Sequence, residues 1–131
     1  MNKIIYFYPH TNESDAPLLT YAVPDAGIES LDINLVAMFI LEKRSAKYRV
    51  EVKLDGKVFL KKENNLVPIS ENTKFGDFGE GLNIGAFASI KVGFDLIKIT
   101  VNETALFEIT LFDEAGNAIA NAETTLYFIG E

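Results

Sequence analysis

The 131-residue chain has no cysteine, no tryptophan and a single histidine, His10. Without thiols it supplies no disulfide, no thiolate nucleophile, no iron–sulfur cluster and no cysteine zinc site. One imidazole excludes a metal site built on several histidines, and any His-paired dyad without His10. Positive charge is also scarce: 12 Lys and Arg face 19 Asp and Glu, for a net charge of −7. That balance favours solubility and opposes direct binding to phosphate backbones, which requires a positive surface. Two local exceptions exist, Lys43-Arg44 with Lys47 and Arg49, and Lys57 with Lys61-Lys62. They are interleaved with Glu42, Glu51, Asp55 and Glu63 and read as a mixed, solvated face. No nucleic-acid partner is expected. No stretch approaches the roughly 18 apolar residues that span a bilayer. The N-terminal run Ile4–Tyr8 is short and aromatic, with no small-residue cleavage site after it. The expectation is a soluble, cytoplasmic protein without a membrane partner.

What the chain does have is core material. Apolar residues make up 48%, including 10 Phe, and there are 5 Tyr. A chain of this length can bury a core without staples, and one domain over residues 1–131 is expected. The clearest signal is Tyr48 to Leu54, where Tyr48, Val50, Val52 and Leu54 alternate with Arg49, Glu51 and Lys53. A period of two means a strand with one buried and one wet face. Asp55-Gly56 follows, a pair suited to a turn with two positive φ angles. Lys57–Leu60 then returns, with Phe59 expected opposite Val52 on the buried face. Other strands are expected at Lys3–Tyr8 (stopped by Pro9), Leu18–Val23, Leu66–Ile69, Leu106–Phe112 and Ala118–Ile129. Leu31–Leu41 begins half-exposed and becomes apolar on both parities, as a central strand covered on both sides would; a helix over Leu35–Tyr48 is the competing reading. Leu82–Val101 is too long and too apolar for one short strand. Its parity slips suggest bulges or a break near Gly93.

Tyr48–Leu60 and Leu106–Ile119 share a layout of alternating strand, turn and return strand, as any antiparallel sandwich would. The fold expected is therefore all-β: an antiparallel β-sandwich of about seven to nine strands, with a closed barrel as the runner-up. The order of elements resembles immunoglobulin-like sandwiches, although their Cys–Trp–Cys hallmark is missing; a jelly-roll-like layout is the other form considered.

Motifs that carry chemistry are few. His10 with Glu13 and Asp15 reads as a solvated loop histidine before it reads as a weak metal site. No G-x-S-x-G surrounds any serine. Asp77 with Glu80, and Asp113 with Glu114, are paired carboxylates of the kind a glycosidase needs, but such neighbours are expected by composition. Asp113, Glu114 and Asn117 offer oxygens to calcium; DEAGN is equally an ordinary hairpin loop. Gly76, Gly79, Gly81 and Gly85 match neither phosphate-binding pattern, and read as a spacer loop. Tyr6, Phe7 and Tyr8 are consecutive, as are Tyr127 and Phe128, so some of these rings must point away from the core. No catalytic, cofactor or metal residue is assigned. The expected function is a non-catalytic protein-interaction or small structural module, with a protein partner or self-association. The alternatives are a carbohydrate-binding module, with or without calcium, and a carboxylate-dependent hydrolase.

Overall fold

Eight strands form in chain order: β1 (Lys3–His10), β2 (Thr20–Val23), β3 (Ser30–Leu41), β4 (Arg49–Leu54), β5 (Lys57–Leu60), β6 (Ile84–Asp95), β7 (Thr104–Phe112) and β8 (Ala118–Gly130). This computed structural model describes residues 2–24, 30–41, 47–67, 84–95 and 102–130. The strands divide into two sheets, one of order β1-β3-β6 and one of order β2-β8-β7-β4-β5. Lettered in chain order as A, A′, B, C, C′, E, F and G, they read A-B-E against A′-G-F-C-C′. That is the division of an immunoglobulin-like sandwich, in which the F, G and C strands share a sheet and A, B and E share the other. All pairings are antiparallel except β2 with β8, which is parallel. The chain leaves β1 in one sheet and joins the edge of the other as β2.

The alternation in the sequence sets which residues face inward. Val50 and Val52 of β4 are buried, as are Ala105, Phe107, Ile109 and Leu111 of β7, while the intervening residues are half-exposed. Across the interior stand Phe7 of β1 and Ile33, Leu35, Ala37, Phe39 and Leu41 of β3. Among the described residues none that is polar or charged is buried. β3 lies between β1 and β6. On its second face Asp32 is exposed and Asn34 half-exposed, whereas Val36 is only 2% exposed. The strand forms and the helix reading of Leu35–Leu41 is excluded, but the second face is covered only at Val36: Met38 and Ile40, towards the end of the strand, are half-exposed.

The Asp55-Gly56 turn forms as expected, with φ of 50° and 82°. A β-bulge then intervenes: Val52 pairs with Leu60 and Lys53 with Val58, leaving Phe59 as the extra residue. Phe59 is 42% exposed, so it does not continue the buried face opposite Val52. β1 also corrects its expected end. It passes through Pro9, which pairs with Leu35, is buried, and accepts the Leu18 N–H through its carbonyl at 2.7 Å. A proline without an N–H is tolerated on an edge strand. A bulge at Ile4/Tyr6 sets Ile5 outside the regular pairing.

β6 runs unbroken against β3 for twelve residue pairs, through Gly93. Gly93 makes no break because it pairs in register with Asp32, whose Oδ1 a Cβ there would meet at 3.4 Å. The expected slip at Leu96/Ile97 lies outside the described residues. The expected strand Leu66–Ile69 is, within the described residues, a single bridge of Leu66 to Arg49 with Val67 buried behind it.

Candidate functional site

The first expected site is the ring series of the N-terminal strand. Alternation sends Phe7 into the core and leaves Tyr6, Tyr8 and His10 half-exposed on the other face of β1. The Tyr6 and Tyr8 rings lie 5.5 Å apart, and Tyr8 and His10 6.2 Å, forming a ladder along an edge strand. Burial, with the neighbouring Tyr8 adding, pushes the Tyr6 phenol above its ordinary value. His10 belongs to the strand and not to the loop, and its Nδ1 stands 2.8 Å from the Thr11 carbonyl. Glu13 and Asp15 are exposed in the following turn. Asn12 Oδ1 accepts from Asn34 Nδ2 at 2.7 Å and ties that turn to β3.

The second is the Asp113–Asn117 loop between β7 and β8. The Asp113 Oδ1 accepts the Asn117 N–H at 2.8 Å, and its Oδ2 faces Asn117 Nδ2 at 3.3 Å. Gly116 takes φ of 88° and donates its N–H to the Asp113 carbonyl. The Asn117 N–H holds the Asp113 carboxyl below its ordinary range against partial desolvation; the Asn117 amide and the N–H groups of Ala115 and Gly116 add to the lowering. This carboxylate is committed to closing its own turn, as Asp commonly is. Beside it, Lys62 Nζ sits 4.6 Å over the Phe112 ring, and Arg49 Nη1 donates to the Glu63 carbonyl at 2.7 Å. Among the described residues no three His, Asp or Glu side chains converge as a cation site would require. Asp77, Glu80 and the Gly76–Gly81 loop lie outside the described residues.

A third feature was singled out from sequence only at Tyr127. Seven large apolar residues among those described are exposed, and six of them lie on or beside the two edge strands of the five-stranded sheet. Val58, Phe59 and Leu66 occupy the β5 edge, because β5 and Leu66 both pair with the same side of β4. Leu19, which leads into the edge strand β2, adjoins Tyr127 and Ile129 of the neighbouring β8: β2 pairs with Tyr127–Gly130, and the Tyr127 N–H donates to the Leu19 carbonyl at 2.9 Å. All six are between 37% and 67% exposed. Phe128, next to Tyr127, is buried, with its ring 6.5 Å from that of Tyr21. The local signal was present in Lys57-Val58-Phe59-Leu60-Lys61, a short apolar run bracketed by lysines, as edge strands often are.

No protein-family model matches the chain, and no curated protein matches it. Among solved structures it is similar to a bacterial adhesin from Mobiluncus mulieris containing intramolecular disulfide, isopeptide and ester bond cross-links. The TM-score is 0.53 at 9% identity, over 95% of this chain and 56% of the adhesin chain. The likeness is one of fold. A Niemann-Pick type C2 protein from the Japanese carpenter ant aligns with TM-score 0.47 and 10% identity, over 97% of this chain and 92% of that one. The N-terminal domain of PorA aligns with TM-score 0.42 and 16% identity, over 95% and 98%.

Proposed function

We propose that the chain is a non-catalytic interaction domain whose contact surfaces are the lateral edges of its five-stranded sheet. The observation that carries this reading is the gathering of exposed Val58, Phe59 and Leu66 on one edge and Leu19, Tyr127 and Ile129 on the other. Scattered single apolar residues need no explanation on a protein surface. Apolar side chains collected at one place and rimmed by polar ones mark a protein contact. Sheet edges are natural positions for it. The test is a photo-crosslinking residue placed at 58, at 127, or at 114 on the exposed β7–β8 loop, in cells that make the protein. Discrete adducts from 58 and 127, with none from 114, support the reading. Equal labelling from all three, or none from any, refutes it.

A second reading rests on the Tyr6–Tyr8–His10 ladder, whose half-exposed rings suit stacking against a sugar. A glycan array probed with and without calcium tests it, and uniform silence removes it.

A further inference from the structure

The two apolar edges differ in charge. Residues 47–66, which form β4, the turn, β5 and the segment up to Leu66, carry six Lys and Arg (Lys47, Arg49, Lys53, Lys57, Lys61 and Lys62) against Glu51, Asp55 and Glu63. That is a surplus of three positive charges in a chain of net −7. The strands at the other edge, β2 and β8, carry no Lys or Arg, and none occurs in residues 4–42 or 99–131. Acids are present there. Glu123 is exposed on β8, and Glu103, which leads into β7, is exposed on the other side of β8 from β2, where its carbonyl accepts the Phe128 N–H at 2.9 Å. Glu13 and Asp15 are exposed in the loop that leads to β2. Four interstrand steps of about 4.8 Å put the edges roughly 19 Å apart. They cannot meet within one molecule.

We propose that the occupant of each edge is a second copy of this chain. The basic β5 edge of one copy seats against the acidic β2–β8 edge of the next, with Val58, Phe59 and Leu66 meeting Leu19, Tyr127 and Ile129. The inference rests on the interaction reading above and names its partner. The contact is heterologous, since different surfaces meet, so it propagates head to tail. β5 is only four residues long and bulged at Phe59, and β2 is also four residues long. Short and irregular edges resist continuous strand pairing. Side chains and opposite charge therefore provide the attraction, and a contact of this size is weak.

The experiment is sedimentation velocity of the purified full chain from about 10 μM to about 1 mM, a range suited to weak association. The expected result is growth beyond dimer with concentration. It should weaken at least tenfold when salt rises from about 0.1 to about 1 M, which shortens the screening length from about 10 to about 3 Å. End-capped variants then test the geometry. Val58→Asp with Phe59→Asp blocks one edge, and Leu19→Asp with Tyr127→Asp blocks the other. Each variant alone is monomeric, whereas an equimolar mixture forms a dimer that grows no further, because one intact edge of each kind remains. Circular dichroism and a cooperative melt check each fold, with Phe59→Ser and Tyr127→Ser as milder replacements. A wild-type chain that stays monomeric at about 1 mM and low salt overturns the proposal. So does assembly that ignores the caps, or a mixture that stays monomeric while wild type assembles. Edge-specific adducts from positions 58 and 127 together with a monomeric purified chain would sink the self-partner and leave the interaction reading standing.

Discussion

Asp55 is the residue on which the β4–β5 hairpin should depend most. It adopts φ of 50°, where an L residue other than Asn or Asp is strained by about 1–2 kcal/mol. It also extends the β4–β7 pairing past the end of the strand. Its N–H donates to the Leu106 carbonyl at 2.9 Å, and its Oδ1 accepts the Leu106 N–H at 2.9 Å. That side-chain bond is exposed, so its net value lies at the low end, near 0.5–1 kcal/mol by order of magnitude. Asp55→Ala loses both the tolerance of positive φ and the acceptor, and should cost about 2 kcal/mol. Asp55→Gly keeps the backbone freedom and loses the acceptor, for about 1 kcal/mol. Asp55→Asn keeps both and should stay within about 0.5 kcal/mol of wild type. For a domain of this size each kcal/mol moves Tm by about 3–5 °C, so the alanine variant should melt roughly 6–10 °C lower. Urea unfolding with a shared slope measures all three. An alanine variant as stable as wild type, or an asparagine variant as damaged as alanine, would refute the reasoning.

Three further outcomes follow from burial and contacts. Phe107→Ala should cost about 3–5 kcal/mol, because that ring is fully buried, whereas Phe59→Ser should stay within about 1 kcal/mol of wild type; parallel denaturant melts compare them. Asp113 has a lowered pKa, so its contribution to stability is present above the ordinary value of 3.8 and fades as pH falls through the lowered folded value; melts across acid pH should show a smaller acid-induced loss for Asp113→Ala than for wild type. Lys62→Met removes the cation over Phe112, and should cost about 0.5–1 kcal/mol in the same melts.

Local signals were the readable ones. The Tyr48–Leu54 rhythm and the Asp55-Gly56 turn are legible because each depends on neighbours two residues away. So is the inward set Phe107, Ile109 and Leu111 of β7. Phe59 was misplaced because a bulge shifts parity without leaving a mark in propensity. Pro9 was misread as a stop because its tolerance depends on β1 being an edge, which only the sheet order reveals. The continuity of β6 through Gly93 is likewise a property of its pairing with β3. The parallel seat of β2 on β8 joins residues more than a hundred positions apart, and no local pattern encodes it. Of the candidate surfaces, the split of Tyr6 and Tyr8 from Phe7 followed from alternation alone. In sequence the cations of residues 47–62 read as part of a mixed, solvated face, because the complement proposed for them, beside β2 and β8, comes from distant parts of the chain at the far side of the sheet.

Amide hydrogen exchange at low and high protein concentration tests most directly whether these two edges are the working surfaces. Protection should rise with concentration in residues 57–66, 19–23 and 127–130, and stay constant in the β7–β8 loop at 113–117. Protection that is independent of concentration at both edges, or that rises equally in the loop, would contradict the account.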